Sequence, residues 1–144
     1  MRELARGVVR SRPDWRARSL CVLGAVLVGA SGGIHFHLWA TGYNAIPKIG
    51  FLFLAQSISA FVLAAWLVIR PSLLIAAAAL GLAAGTIAGF LVTVWVGLFG
   101  FTDSFSAPYS SVALITESVA VAVLVGGCAV LISQVRCRSG QQES

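Results

Sequence analysis

The stretch "SLLIAAAALGLAAGTIAGFLVTVWVG", residues 72–97, decides the fold class of this chain because it contains no charged side chain. A helix needs about 20 predominantly apolar residues to cross the roughly 30 Å hydrocarbon core of a bilayer. This stretch exceeds that length. It therefore predicts a transmembrane helix rather than a buried helix of a soluble domain.

The rest of the chain has the same character. Of its 144 residues, 58% are hydrophobic and 10% are charged, and the mean hydropathy is +0.92. Such a composition is typical of integral membrane proteins. We predict an all-α, four-helix transmembrane domain over residues 19–135, between a basic tail, 1–18, and a second tail, 136–144. The predicted spans are residues 20–40, 49–69, 72–97 and 112–134.

The basic residues predict the orientation of the helices. All ten Lys and Arg residues except Lys48 lie before span one, between spans two and three, or after span four. Lys and Arg are retained on the cytoplasmic side during insertion, so both termini are predicted to be cytoplasmic in a multi-pass protein of the plasma membrane. The Arg-rich tail is interpreted as a topology signal near lipid headgroups rather than as a nucleic-acid-binding arm, and no nucleic-acid partner is expected.

A basic start followed by an apolar run is also the form of a cleaved signal peptide. Val28, Gly29 and Ala30 would supply a small-residue cleavage site. The apolar run nevertheless continues to Trp39, which is longer than the core of about 7–15 residues in a signal peptide. A first span that is retained in the mature protein is therefore favoured.

The connections between the spans predict how the helices are arranged. Gly42 follows span one at a position where helices commonly end, and Pro71 suits the first turn of span three. Short connections join antiparallel neighbours. The sequence therefore predicts an up-down bundle, completed by a longer outward loop over residues 98–111.

Small residues at four-residue spacing predict where the helices contact one another. Lipid provides no hydrophobic force between helices, so membrane helices associate through close backbone contact, which glycine permits. Packing within one bundle is favoured over a dimer interface, which remains the alternative. The predicted packing glycines are Gly29, Gly33, Gly81, Gly85, Gly89 and Gly126.

The sequence "GGIHFHLW" places two histidines inside the first span. Residues two apart on a helix point about 200° from each other, so His35 and His37 cannot hold the same ion while the helix is intact. Steps of four residues from Cys21 arrive at His37. We therefore predict that His37 faces the bundle interior and that His35 faces elsewhere.

Each span places one polar residue in its outer half, and together these residues form the predicted polar cluster. Glu117 is the costliest of them, because an ionisable group within a span usually faces the interior with a partner. The cluster is interpreted either as structural hydrogen bonding or as a ligand site. For a metal, the candidate ligands are His37, Glu117 and His35, with Asp103 as a further option. A haem is a second possible cofactor. The favoured prediction is that the chain binds no cofactor. The four residues are His37, Gln56, Thr93 and Glu117.

Three features resemble a group of small four-span membrane proteins of actinobacteria. They are the block "HFHLWATGYNAIPKIGFLFLAQ" at residues 35–56, the segment "GLFGFTDSF" at residues 97–105, and a carboxylate early in the last span. The resemblance covers most of the membrane portion and implies the same bundle in a bacterial plasma membrane. It implies no activity, cofactor or catalytic residue.

The four spans leave no room for a separate catalytic domain, and the sequence has no phosphate-binding glycine loop, GxSxG or HExxH motif. We therefore expect a non-enzymatic accessory or interaction subunit of a membrane assembly, in contact with the bilayer and with a partner protein or a second copy. The alternative is a protein that binds a small ligand, or conducts an ion, proton or solute, through the polar cluster. A third option is an enzyme subunit whose chemistry a partner chain completes.

Overall fold

The computed structural model describes residues 14–142 and contains four long α-helices. A single turn of 3-10 helix, Tyr43–Ala45, follows the first of them. The predicted tail arginines Arg2, Arg6, Arg10 and Arg12 lie outside the described residues. The helices are α1, Trp15–Thr41; α2, Ile49–Ile69; α3, Leu73–Trp95; and α4, Ser110–Gln142.

Each of these helices contains a segment that is long and apolar enough to cross a membrane. This confirms the predicted class, an all-α chain with four candidate spans and the character of a multi-pass membrane protein. Helix α2 has the predicted bounds, whereas α1 begins within the predicted basic tail and α4 continues into the predicted second tail. Helix α3 ends before Gly97, which has a φ of 83° that interrupts a right-handed helix.

Helices that follow one another in the chain pack together, and α1 also packs against α4. Helix α1 packs against α2 and α4, and α3 packs against α4 and, more loosely, against α2. A Cβ atom added at Gly32 of α1 would lie 2.9 Å from the Cβ of Ala60 in α2. One added at Gly24 would lie 2.6 Å from the Leu124 side chain of α4. Glycine therefore permits the closest approaches of α1 to both of its neighbours.

Small residues fill the centre of the bundle, and large apolar residues cover its outside. Leu74, Trp95 and Val96 are 80%, 72% and 81% exposed. Burial of small residues lets helix backbones approach closely, and an apolar outer surface suits a hydrocarbon solvent. Fully buried small residues include Ala17, Cys21, Ala60, Ala76, Ala79 and Ala120.

The buried positions follow alternating steps of three and four residues. This spacing averages 3.5 residues and keeps one helix face turned toward its partners, as in coiled coils. Repeated steps of four instead rotate by about 40° each time and leave that face. On α1 the buried positions include Ala17, Cys21, Gly24, Val28, Ser31 and His35. On α4 they include Ser110, Glu117, Ala120, Leu124, Gly127 and Leu131.

The glycines of α3 make no close contact within the bundle, and their part in a contact between chains stays a prediction. A Cβ atom added at Gly81, Gly85 or Gly89 would meet nothing within 4 Å. No helix of the described chain therefore contacts these three positions closely, and we call them the glycine face. The residues that α3 buries are Ala76, Ala79, Ala83 and Thr93.

The other predicted packing glycines differ from one another. An added Cβ would lie 3.8 Å from Ala64 at Gly29 and 3.9 Å from Leu20 at Gly126, which are ordinary contacts. At Gly33 it would meet nothing within 4 Å, so Gly33 makes no close contact within the bundle.

Candidate functional site

Two loops meet at one end of the bundle, which we call the loop end. The Tyr43 ring stacks on Phe53 of α2 at a centroid distance of 4.6 Å and meets the Phe101 ring edge-on at 5.8 Å. The Lys48 ammonium lies 4.9 Å from the centre of the Phe99 ring. The connection between α1 and α2 therefore packs directly on the connection between α3 and α4.

A buried carboxyl group lies just inside this end. Glu117 of α4 is 2% exposed, and the Ser31 hydroxyl of α1 donates a hydrogen bond of 2.9 Å to its Oε1. The Nε2 atom of His35 lies 3.9 Å from the same oxygen, a distance compatible with an ion pair but too long for a hydrogen bond. We call Ser31, His35 and Glu117 the buried triad. Both contacts reach Oε1, so the second carboxyl oxygen takes part in neither.

His35 is held in place by its own helix and by α2. Its Nδ1 lies 2.9 Å from the Ser31 carbonyl oxygen, and since a carbonyl only accepts, this ring nitrogen carries the proton and donates. The ring also packs against Phe53 at a centroid distance of 5.2 Å. The Nε2 atom is thereby turned toward Glu117 and the space beside it.

The predicted orientation of the two histidines is wrong. His35 is 7% exposed, whereas His37 is exposed and its ring meets the edge of Tyr109 at 5.2 Å. His35 follows Cys21 by about four helical turns and points within about 40° of it, but His37 points about 160° away. The alternating three- and four-residue spacing of buried positions identifies the interior histidine, and constant steps of four do not.

Two serines that are not part of the predicted polar cluster join the helices here. Ser31 belongs to the buried triad, and the Ser57 hydroxyl of α2 donates a hydrogen bond of 2.9 Å to the Gly32 carbonyl oxygen of α1. Both serines are buried. Their positions in the spacing of three and four residues are the signal that could have found them.

A partly enclosed cavity of about 320 Å³ lies beside the buried triad, between α1, α2 and α3. The glycine face forms part of its wall, and Phe53, Phe90 and Phe101 supply aromatic surface. Its lining is predominantly apolar. The polar lining residues are His35, Gln56, Thr86, Thr93 and Asp103.

Gln56 and Thr93, two members of the predicted polar cluster, thus border this cavity together with His35. The Thr93 hydroxyl donates to the Gly89 carbonyl oxygen of its own helix at 2.7 Å. Glu117 borders a smaller cavity of about 40 Å³, and His37 borders neither. The four predicted residues therefore do not form one hydrogen-bonded group.

The smaller cavity connects the buried triad with the loops. Asp103 and Tyr43 border it together with Glu117 and His35. The Asp103 backbone N–H donates to the Thr93 carbonyl oxygen at 3.4 Å, and its Oδ1 accepts from the Ser104 N–H at 2.8 Å. Burial, followed by the nearby Asp103 carboxyl group, raises the pKa of Tyr43 above its usual value.

Comparisons with known proteins do not assign this arrangement. No protein-family model, curated protein or solved structure matches the chain. The resemblance to actinobacterial four-span proteins therefore stays a prediction.

The geometry also bears on the candidate metal ligands. His35 and Glu117 approach each other, while His37 lies apart against Tyr109, so the predicted set of His37, Glu117 and His35 is not assembled. Within residues 14–142, no three His, Cys, Asp or Glu side chains are grouped closely enough to hold a metal ion. What the site offers instead is a carboxyl group and an imidazole beside an apolar cavity.

Proposed function

We propose that this chain is a four-span protein of the plasma membrane that binds a small amphipathic molecule at the loop end of the bundle. The observation that carries the proposal is the cavity of about 320 Å³, whose glycine face is uncovered and which adjoins the buried triad. Ligand sites are usually apolar clefts of about 300–1,000 Å³ with a few polar groups, and this cavity has that composition.

The buried carboxyl group supports a binding role. An ionisable residue inside a membrane span is costly and is usually found where it serves a ligand, ion or proton. Ser31 is the hydrogen-bond donor to Glu117, and His35 stays at 3.9 Å. A polar group of a ligand would add a hydrogen-bond donor to the Glu117 carboxyl group.

The position of the cavity supports access from the bilayer. Gly81 and Gly85 are exposed on the surface of α3, and α3 packs only loosely on α2. In a membrane this groove faces lipid tails. A molecule dissolved in the bilayer therefore enters sideways between the two helices, with its polar end toward the loops.

The proposed orientation is an up-down bundle with cytoplasmic termini. Gly29 faces Ala64 and Gly32 faces Ala60, which is the pairing expected of antiparallel helices. Lys48 is the basic residue at the loop end, which supports an outer location for that end. In a variant lacking the native cysteines, Lys48→Cys should react with a membrane-impermeant maleimide in intact cells. Arg70→Cys should react only after the membrane is permeabilised; the reverse labelling would contradict the orientation.

Filling the cavity tests the binding function. In Gly85→Leu the new Cβ meets no neighbouring atom, and the side chain occupies the groove. In Gly33→Leu the new Cβ also meets no neighbouring atom, but this position does not line the cavity. Saturable binding of ten-carbon, single-chain amphiphiles to the protein in lipid nanodiscs is measured by calorimetry, with empty nanodiscs subtracted. Gly85→Leu should weaken binding by at least about tenfold, by loss of apolar contact, and Gly33→Leu should not. Equal binding by both variants would refute the proposal.

An interaction subunit is the second candidate function, and the same glycine face favours it. A stripe of uncovered glycines also permits close approach of a helix from another protein or from a second copy. Here Gly81→Leu should release a stoichiometric partner or separate a dimer during purification in mild detergent, while Gly33→Leu should not. Purification of the unmodified chain as a monomer without a partner would contradict this candidate.

A further inference from the structure

Two cavities lie side by side at the loop end, and we treat them as the larger and the smaller part of one candidate site. They share the lining residues His35, Phe53, Thr86, Phe90 and Asp103. The larger part is bounded mainly by apolar side chains and by the glycine face. The smaller part has Glu117, Asp103 and the Tyr43 ring in its wall. A ligand that fits both parts has an apolar body and a small polar head.

The charges around the smaller part favour a cationic head. Two carboxyl side chains, Asp103 and Glu117, border it, and of the residues that the structure describes no Lys or Arg lines either part. His35 also borders both parts, but its Nε2 lies 3.9 Å from Glu117 and makes no hydrogen bond to it. The nearby Lys48 ammonium lies over the Phe99 ring instead. A carboxylate buried in an apolar region is stabilised by an opposite charge that also donates hydrogen bonds.

The atoms of Glu117 show where that head would bind. The side chain is 2% exposed and borders the smaller cavity. The Ser31 hydroxyl and the His35 ring both approach Oε1, and neither contact uses Oε2, so a donor on the head group would bind to Oε2.

The size of the smaller part restricts the head group. A cavity of about 40 Å³ has room for only a few heavy atoms, since one water needs about 10–15 Å³ on the same measure. A primary ammonium is compact and has three donors, which matches carboxyl acceptors on Glu117 and Asp103. The rings of Tyr43, Phe53 and Phe90 border the same space and favour a cation further.

We propose that the ligand is a lipophilic primary amine, bound as its ammonium ion. The ammonium head lies between Glu117 and Asp103, and the hydrocarbon chain lies in the larger cavity along the glycine face. This assignment rests on the proposed binding function and names its ligand class. It adds Asp103, from the loop between α3 and α4, as a residue that selects the ligand by charge.

Four probes with the same ten-carbon chain test the ligand class. Decylammonium, decyltrimethylammonium, decanol and decanoate are titrated at pH 7.4 into the full-length protein in phosphatidylcholine nanodiscs, and the heat from empty nanodiscs is subtracted. An alkylamine titrates near the lysine value of about 10.4 and is therefore protonated at this pH. Decylammonium should bind at least tenfold more tightly than decanol and more tightly than the bulkier decyltrimethylammonium, and decanoate should bind most weakly.

Two carboxyl variants complete the test. Asp103→Asn and Glu117→Gln should each remove most of the tenfold preference for decylammonium over decanol, while the exposed Asp14→Asn should retain it. Asp103 lies in a loop, so its variant keeps the test valid if Glu117→Gln does not fold. An unchanged preference in Asp103→Asn would overturn the ligand class.

The outcomes separate this inference from the function on which it rests. If decanol and decylammonium bind equally and Gly85→Leu still weakens both, the cavity remains a binding site but the ammonium assignment is overturned. Tighter binding of decanoate than of decylammonium would also overturn that assignment. No saturable binding of any probe would refute both the ligand class and the proposed function.

Discussion

Ser31 and Glu117 join α1 to α4 through a hydrogen bond of 2.9 Å between side chains that are 4% and 2% exposed. Apart from His35, the buried positions that share this three- and four-residue spacing hold small or apolar side chains on both helices. The bond therefore fixes which turns of the two helices face each other. It also places the carboxyl group next to the proposed ligand cavity.

We predict that Ser31→Ala destabilises the bundle by about 0.5–2 kcal/mol, because a buried carboxyl group loses its donor. The free energy of unfolding in mixed detergent micelles measures this change. Thr116→Ala is the matched control, since that hydroxyl donates to the Val112 carbonyl oxygen of its own helix. A double-mutant cycle with Glu117→Met, which removes the acceptor, should give a coupling energy of about 0.5–1.7 kcal/mol. Additive effects of the two substitutions would show that the bond contributes nothing.

The two histidines should differ in their contribution to stability. His35→Ala removes a hydrogen bond to the Ser31 carbonyl oxygen and the contact with Phe53, and we expect a loss of about 1–3 kcal/mol. His37→Ala removes the edge contact with Tyr109 on the surface, with an expected loss below about 1 kcal/mol. Thermal unfolding of both variants in the same detergent measures the difference. A larger effect at His37 would contradict the placement of His35 in the interior.

The number of helices and their membrane character could be predicted from the sequence, because span length and apolarity are local properties. Helix α2 covers the same residues as the second predicted span, and α3 ends two residues before Gly97. Which face of each helix is buried could not be predicted from hydrophobicity. In a membrane protein both faces are apolar, so only the spacing of small and polar residues carries that information.

The site illustrates the same limit. Glu117 could be found because a carboxyl group inside a span stands out chemically, whereas Ser31 could not be chosen as its partner from composition, since serine is common in such helices. Gln56 and Thr93 lie in the halves of α2 and α3 nearer the loop end, but they border the larger cavity instead of Glu117. A cavity depends on how loosely α2 and α3 pack, and no local pattern of residues specifies that distance.

Two adjacent glycines of α1 should respond to alanine in opposite ways. At Gly32 the new Cβ would lie 2.9 Å from the Ala60 Cβ and 3.3 Å from the Ser57 carbonyl oxygen, so α1 and α2 would have to separate. We expect Gly32→Ala to lower the free energy of unfolding by about 1–3 kcal/mol. At Gly33 the Cβ meets nothing, and alanine should be neutral or stabilising by up to about 1 kcal/mol, because it is the better helix former. Similar losses in both variants would show that the α1–α2 contact is not where the structure has it.

The loop end should lose stability at high pH through Tyr43. Burial, and then the Asp103 carboxyl group, raise the pKa of the Tyr43 phenol above its ordinary value of about 10. Below that value the phenol is protonated in both the folded and the unfolded chain. Above it the unfolded chain releases the proton while the folded chain still retains it, so the unfolded state is favoured increasingly until the pH passes the folded pKa.

Stability measured between pH 8 and pH 11.5 should therefore fall above about pH 10, and Tyr43→Phe should make that fall shallower. Asp103→Asn should have a smaller effect than Tyr43→Phe, because burial is the larger cause and remains when the charge is removed. Phenylalanine retains the ring contacts with Phe53 and Phe101, so the comparison isolates the hydroxyl group. If the Tyr43→Phe protein declines as steeply as the unmodified chain, the alkaline loss arises elsewhere and the phenol is not buried against Asp103. A shallower decline in both variants would instead place that carboxyl group beside Tyr43, at the mouth of the cavity where it is proposed to bind an ammonium ion.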